Sequence, residues 1–342
     1  MKIAVVCGGL SSERDVSITS GTNIARVLRQ RGHKAVLIDM FYGYKGEYKN
    51  AAELFDMPQE DISYHVSEEV PDTGKLLGES GGARLGANVI EICKAADIAF
   101  LALHGADGED GRLQAALDLA GVKYTGSGYL GSAVAMNKEL SKIQFRAKGI
   151  PTPEGILISK NDTDRTAPGF PCVVKPCSGG SSVGTSVVTC QEDYDAALEL
   201  AFKYESDVIV ERFIKGREFS VSVIDGKALP VIEVVIKSGF FDYKAKYQAG
   251  MIEELCPAPL DPVLTEKVQR LAERVADALM LDVYYRADFI LDENDGKFYC
   301  LEANTLPGMT PTSFVPMAAK VEGCDFGDVC ERIIALSMEK YI

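Results

Sequence analysis

Lys2-Ile3-Ala4-Val5-Val6-Cys7 is a nearly unbroken apolar run closed by Gly8-Gly9, the pattern of a strand buried on both faces. Apolar positions then recur at helical spacing over residues 17–31 up to Gly32, and Lys34-Ala35-Val36-Leu37-Ile38 reads as a second strand. With a further strand over 97–103 and a helix near 111–120, this β-α-β beginning predicts a doubly wound domain over residues 1–125. Residues 42–85 between them are rich in Gly, Glu, Asp and Lys with weak periodicity, and read as an insertion.

Gly126-Ser127-Gly128, then a helix over 137–148 ended by Gly149-Ile150-Pro151, mark entry into a second unit, 126–213. Its pattern predicts strands at 155–159, 172–175, 185–188 and 208–211 and a helix at 193–204. The third unit, 214–342, opens with strands 218–224 and 228–236 flanking the hairpin signal Asp225-Gly226. An amphipathic helix follows at 264–279, then strands 283–291 and 297–303 joined by Asp292-Glu293-Asn294-Asp295-Gly296, and a last helix at 327–340.

That last strand pair carries the most chemistry. Strand side chains alternate faces, so odd and even positions separate. The odd face (Val283, Tyr285, Ala287, Phe289, Leu291, Tyr299, Leu301, Ala303) is a core face. The even face sets Arg286 and Asp288 roughly opposite Glu302 and Asn304, an oxygen-rich group suited to Mg²⁺ with its phosphates. An exposed polar face with a salt bridge explains the same pattern.

At 342 residues the chain accommodates two or three domains, and its 46% hydrophobic and 25% charged content is that of a globular protein. A formal charge of −14 argues against nucleic acid or an anionic membrane as partner. The first seven residues are too short an apolar run for a signal peptide, and no run spans a bilayer, so a cytoplasmic protein is expected. Nine cysteines without a Cys-x-x-Cys pair read as reduced core residues.

Val173-Val174-Lys175-Pro176 is a strand ending in a lysine, followed by Ser178-Gly179-Gly180-Ser181-Ser182-Val183-Gly184. Such a loop can turn successive N–H groups toward phosphate oxygens, although it is not a Walker A motif and equally fits a surface connection.

The order of these features resembles the ATP-grasp family, and within it the D-alanine:D-alanine ligases. The resemblance runs through Gly8-Gly9-Leu10-Ser11-Ser12-Glu13-Arg14-Asp15-Val16-Ser17, Leu103-His104-Gly105 with Gly108-Glu109-Asp110-Gly111, Tyr124-Thr125-Gly126-Ser127-Gly128 and Met136-Asn137-Lys138. It continues through Lys175 with the Ser181 to Gly184 loop, Phe241-Asp242-Tyr243-Lys244-Ala245-Lys246-Tyr247 and Leu301-Glu302-Ala303-Asn304-Thr305-Leu306-Pro307-Gly308-Met309-Thr310.

The resemblance implies a three-domain ATP-grasp fold, mixing α/β and α+β parts, with ATP clamped between the central and C-terminal domains. It implies that Asp288, Glu302 and Asn304 hold two Mg²⁺ (or Mn²⁺) ions, that Lys138, Lys175 and Lys246 meet phosphates with Ser182 in the loop, and that Glu211, Phe213, Ile214 and Glu218 hold adenine and ribose. Glu13 would take the ammonium of the first D-alanine, with His104 near its carboxylate and Ser17 close by. Arg286 and the Gly308 N–H would stabilise an oxyanion. Ser313 and Phe314 would receive the second D-alanine. Ser181 and Tyr247 would join Glu13 in closing a lid over 237–253. The family is dimeric, so a homodimer is implied.

Phe213 stands where the family often has tryptophan, and Thr312 precedes Ser313. Tyr247 argues against D-lactate as second substrate and Phe314 against D-serine, because relatives selective for those substrates differ there. A nicotinamide-binding oxidoreductase fits poorly, since Gly8-Gly9-Leu10 lacks the G-x-G-x-x-G spacing. The Arg286, Asp288, Glu302 and Asn304 set argues against a non-catalytic ATP-binding module.

Overall fold

The structure is a computed structural model that describes residues 1–59, 73–80, 82–180, 182–236 and 252–342. The chain opens with β1 (Lys2–Cys7), α1 (Arg14–Gln30), β2 (Lys34–Asp39), α2 (Ala51–Leu54), α3 (Thr73–Glu79), α4 (Val89–Ala95), β3 (Ile98–Leu101) and α5 (Arg112–Ala120). The strands form a parallel sheet of order β2-β1-β3. Helix α1 begins three residues earlier than its apolar spacing predicts. Its added first turn is Arg14-Asp15-Val16, mostly charged and so outside hydrophobic periodicity, and its buried side continues with small residues, Ser17, Ser20 and Gly21. Gly21 is required there: a Cβ would sit 2.6 Å from the Cys7 Cβ, so only a glycine lets α1 lie this close to β1.

Next come α6 (Tyr129–Met136) and α7 (Lys138–Ala147), then β4 (Gly155–Ser159), β5 (Cys172–Pro176), β6 (Ser186–Val188), α8 (Gln191–Ala201) and β7 (Asp207–Arg212). The second sheet is antiparallel, of order β4-β7-β5-β6. Tyr194 and Leu198 of α8 pack on its Cys172, Val174, Val208 and Val210.

The remainder builds β8 (Gly216–Ile224), β9 (Lys227–Ala228), β10 (Ile232–Ile236), β11 (Ile252–Leu255), α9 (Pro262–Leu279), β12 (Tyr284–Asp292), β13 (Phe298–Asn304), α10 (Phe314–Val321) and α11 (Phe326–Glu339). The third sheet has the order β11-β10-β8-β12-β13, with β9 paired to β8. The strand expected over 228–236 is interrupted, because Pro230 has no N–H to give to a ladder.

Two packing choices cross the chain order. Phe145 and Ile150, from and just after α7, join Val268, Val275, Tyr285 and Phe298 in the core under the third sheet. Helices α10 and α11 turn back to the first sheet, where Val315, Ala318, Cys330 and Ile333 share a core with Val5, Ile24, Phe100 and Leu117. All nine cysteines are free. Helices α2, α3, α4, α6 and α10 have no counterpart in the sequence prediction, each being only four to eight residues long, too short for its apolar spacing to repeat.

The odd-face prediction holds on β12 and at Ala303 of β13, and fails at Tyr299 and Leu301. A bulge between Asp288 and Phe289 pairs Asp288 with Glu302 but Phe289 with Cys300, leaving Leu301 without a partner. Phe298 and Cys300 therefore face the core, both fully buried, in place of Tyr299 and Leu301.

Candidate active site

A cavity of about 930 Å³ opens where the three sheets meet, lined from the first unit by Glu13, His104 and Glu109, from the second sheet by Lys175 and Glu211, and from the third by Ser220, Asp288 and Glu302. Of the predicted ATP residues, Lys138, Lys175, Ser182, Glu211, Phe213, Ile214 and Glu218 all line it. So do His104, Gly308, Ser313 and Phe314. Ser181, Lys246 and Tyr247 lie outside the described residues.

Helix α7 starts at the cavity wall because the Asn137 side chain caps it, accepting the Leu140 N–H at 2.9 Å. Lys138 in its first turn donates to the Gly179 carbonyl at 2.5 Å and lies 3.3 Å from Glu302, tying the glycine-serine loop to the third sheet. The loop itself turns through Ser182 at φ 57° and Gly184 at φ 74°, left-handed positions that bend it back over the strand end. Lys175 reaches Glu211 at 2.5 Å, while the other carboxylate oxygen meets Lys142 at 2.7 Å. Burial works against the Glu211 charge, but Lys175 and Lys142 together hold its carboxyl below the usual range.

On the hairpin, the register sets Arg286 opposite Asn304 and Asp288 opposite Glu302. Arg286 grips Asp288 with Nε–Oδ1 at 3.0 Å and a terminal nitrogen to Oδ2 at 2.8 Å, while Ser220 and Asn304 donate to the same carboxylate at 2.7 and 3.1 Å. Burial opposes the guanidinium charge, and Asp288 with Glu302 and Glu109 more than offset it. The guanidinium also lies 5.4 Å from the centre of the Phe314 ring.

The first unit contributes the far wall. His104, 5% exposed, places Nδ1 2.8 Å from the Leu306 carbonyl and Nε2 3.0 Å from the Ser20 hydroxyl. A carbonyl only accepts, so Nδ1 carries the proton. Burial lowers the His104 pKa and keeps the ring neutral. Glu109 accepts from the Gly105 N–H at 2.8 Å and from the Leu306 N–H at 3.1 Å. The Leu306 peptide is thus held on both sides, two residues before Gly308. At Gly308 a Cβ would lie 2.9 Å from Ser313 Oγ, which itself accepts the Thr310 N–H at 3.0 Å.

Ser17 departs from its predicted position: it is fully buried outside the cavity lining, accepting the Gly8 N–H at 2.8 Å and donating to the Ala102 carbonyl at 2.7 Å. Its role in the structure is to fix the loop that presents Glu13.

Two family models match the chain, "D-ala D-ala ligase N-terminus" over residues 2–127 and "D-ala D-ala ligase C-terminus" over residues 145–335. The chain belongs to the D-alanine–D-alanine ligase family. It is 43% identical to the D-alanine–D-alanine ligase of Lacticaseibacillus casei, covering 100% of this chain and 97% of that one, and 40% identical to that of Pediococcus pentosaceus, covering 100% and 99%. Among solved structures it resembles the Bacillus anthracis D-alanine–D-alanine ligase complexed with ATP, at a TM-score of 0.75 and 31% identity over 99% of this chain and 98% of that one.

Within this family fold, the donor set suits a divalent cation. No group of three or more His, Cys, Asp and Glu gathers among the described residues; the candidate donors are instead Asp288, Glu302 and the Asn304 amide, hard oxygens that favour Mg²⁺ or Mn²⁺. Each carboxylate already meets a cation, Arg286 at Asp288 and Lys138 at Glu302, so positive charge is what this pair satisfies. Glu109, Ser20 and Lys142 carry contacts at or behind the site to which sequence reasoning assigns no individual role. Glu109 is visible only within the Gly108-Glu109-Asp110-Gly111 motif, and Lys142 reads as an ordinary helix lysine.

Proposed function

We propose that this chain uses ATP to join two D-alanines into D-alanyl-D-alanine for peptidoglycan precursors, in the cytoplasm and as a homodimer. The observation that carries this reading is one cavity that brings the Lys138, Lys175 and Glu211 group face to face with Arg286, Asp288, Glu302 and Asn304, with Glu13 and His104 at its far wall. Both family models and full-length relatives named D-alanine–D-alanine ligase support it. No helix among the described residues is long and apolar enough to cross a membrane.

In this reading Lys138, Lys175 and Ser182 take the phosphates, while Glu211, Phe213, Ile214 and Glu218 take adenine and ribose. Asp288, Glu302 and Asn304 would hold the divalent cations, which when bound would neutralise phosphate charge. Glu13 binds the ammonium of the first D-alanine, whose carboxylate oxygen attacks the γ-phosphorus and displaces ADP, giving an acyl phosphate. The neutral amine of the second D-alanine, placed by Ser313 and Phe314, attacks the acyl carbon. Arg286 and the Gly308 N–H stabilise the oxyanion until the C–O bond to phosphate breaks, with the amine proton lost.

Phosphate release and product mass with ATP and D-alanine test this, with D-serine, D-lactate and L-alanine in parallel. D-Alanine should give phosphate and dipeptide; no phosphate above the ATP blank overturns the reading. Light scattering tests the dimer.

A further inference from the structure

Lys142 is fully buried and does not line the cavity, yet its Nζ touches three acceptors: Glu211 at 2.7 Å, Thr152 Oγ1 at 2.8 Å and the Pro153 carbonyl at 3.3 Å. The Thr152 hydroxyl donates onward to the Cys300 carbonyl, so toward Lys142 it accepts. Thr152 and Pro153 accept two hydrogen bonds from Nζ, burial works against its charge, and the Glu211 carboxylate 2.7 Å away is the group that favours it. A lysine without solvent contact is rare, because its charge is costly to bury and must be paired. Here the pairing runs to a carboxylate whose other oxygen already holds Lys175.

We propose that Lys142 is a positioning residue for the nucleotide: it holds Glu211 from behind, so that Lys175 presents a net positive charge to the phosphates. The charge count gives the reason. Lys142, Glu211 and Lys175 together carry one positive charge; without Lys142, Glu211 and Lys175 cancel. The geometry serves the same end. Lys142 lies one helical turn after Lys138 on α7, so a single helix sets Lys138 on the cavity wall and Lys142 beneath it. Lys142 also anchors Glu211 to the 152–153 linker, fixing the carboxylate that the proposed function places at adenine and ribose.

This inference rests on the reading of the cavity as a nucleotide site, and its test is a binding measurement independent of ligation. ATP is titrated calorimetrically, with Mg²⁺, into the full-length protein and its Lys142→Met, Lys142→Arg, Glu211→Gln and Lys142→Met/Glu211→Gln variants, and KM for D-alanine is measured alongside. Lys142→Met should weaken ATP binding ~10-fold, the weight of one screened charge behind the phosphates, with the D-alanine KM within ~2-fold. Lys142→Arg keeps the charge and should stay within ~3-fold of wild type. In the Glu211→Gln background the added effect of Lys142→Met should fall below ~3-fold, since a fully buried lysine without its carboxylate partner sheds its proton and leaves no charge for the substitution to remove.

Wild-type ATP affinity in Lys142→Met, an equal loss for D-alanine, or a full tenfold effect in the Glu211→Gln background would each overturn the proposal. Should Lys142→Met fail to fold, Lys142→Arg decides: near-wild-type affinity supports the charge role and a tenfold loss overturns it. A wild type that binds ATP but releases no phosphate with D-alanine counts against the ligase reading and leaves the Lys142 comparison standing.

Discussion

Asp288 is reached by Arg286, Ser220 and Asn304, while Glu302 across the ladder is met by Lys138. Neutralising Glu302 should therefore weaken the hold on the divalent cations that the proposed function places there: Glu302→Gln is expected to lower turnover by at least ~100-fold, read by phosphate release across a Mg²⁺ series. Arg286→Ala should keep ATP affinity while turnover falls by ~100-fold or more, because its proposed work comes at acyl transfer. Glu109 gives a pH signature. Burial, with Glu13 nearby, raises its carboxyl to about 7. A raised folded-state pKa adds stability at acidic pH that is lost as pH climbs from about 4.5 through about 7, a change of ~3 kcal/mol. Thermal melts from pH 5 to 8 should show Tm falling in wild type and a flatter profile in Glu109→Gln. The hairpin residues were readable from sequence because alternation on a strand is local. Lys142 was not, since a helix lysine reveals its burial only when Thr152, Glu211 and Cys300 arrive from other elements.

Among elements, the bulge in the last hairpin shows where pattern reading stops. Period two runs cleanly along β12, but one unpartnered residue, Leu301, swaps the faces of β13 from Phe298 to Cys300 while Ala303 keeps its own, and nothing in the strand's own sequence announces it. The Asp288 and Glu302 pairing survives because both lie on the same side of the irregularity. Helix α7 was readable, as its Asn137 cap and Gly149 stop are local signals. That cap supports both Lys138 and Lys142, so Asn137→Ala should lower stability by ~1 kcal/mol, seen as a drop in the denaturant midpoint, and should raise the KM for ATP more than that for D-alanine. Helix α1 begins three residues before its predicted start for the opposite reason, its first turn Arg14-Asp15-Val16 being mostly charged and adding little to the apolar stripe.

Across the whole molecule, three sheets of different topology surround one cavity, and the first is finished by residues far along the chain. The order of β-α-β units predicted the parallel sheet, yet no local pattern tells α10 and α11 to return to it; shape complementarity of assembled layers decides that. A fragment of residues 1–127 should consequently expose the apolar surface that Val315, Ala318, Cys330 and Ile333 cover, and is expected to aggregate or bind a hydrophobic dye unless co-expressed with residues 128–342. His104 and Glu109 reinforce the same return by holding the Leu306 peptide against the first unit. The sharing of that core also bears on how the protein is made. On the ribosome the earliest β-α-β units emerge first and would ordinarily close as a domain, but here they must wait until residues 315–333 have left the exit tunnel. For most of translation the oldest part of the chain is the part still unfinished, and that interval is when a chaperone would matter most.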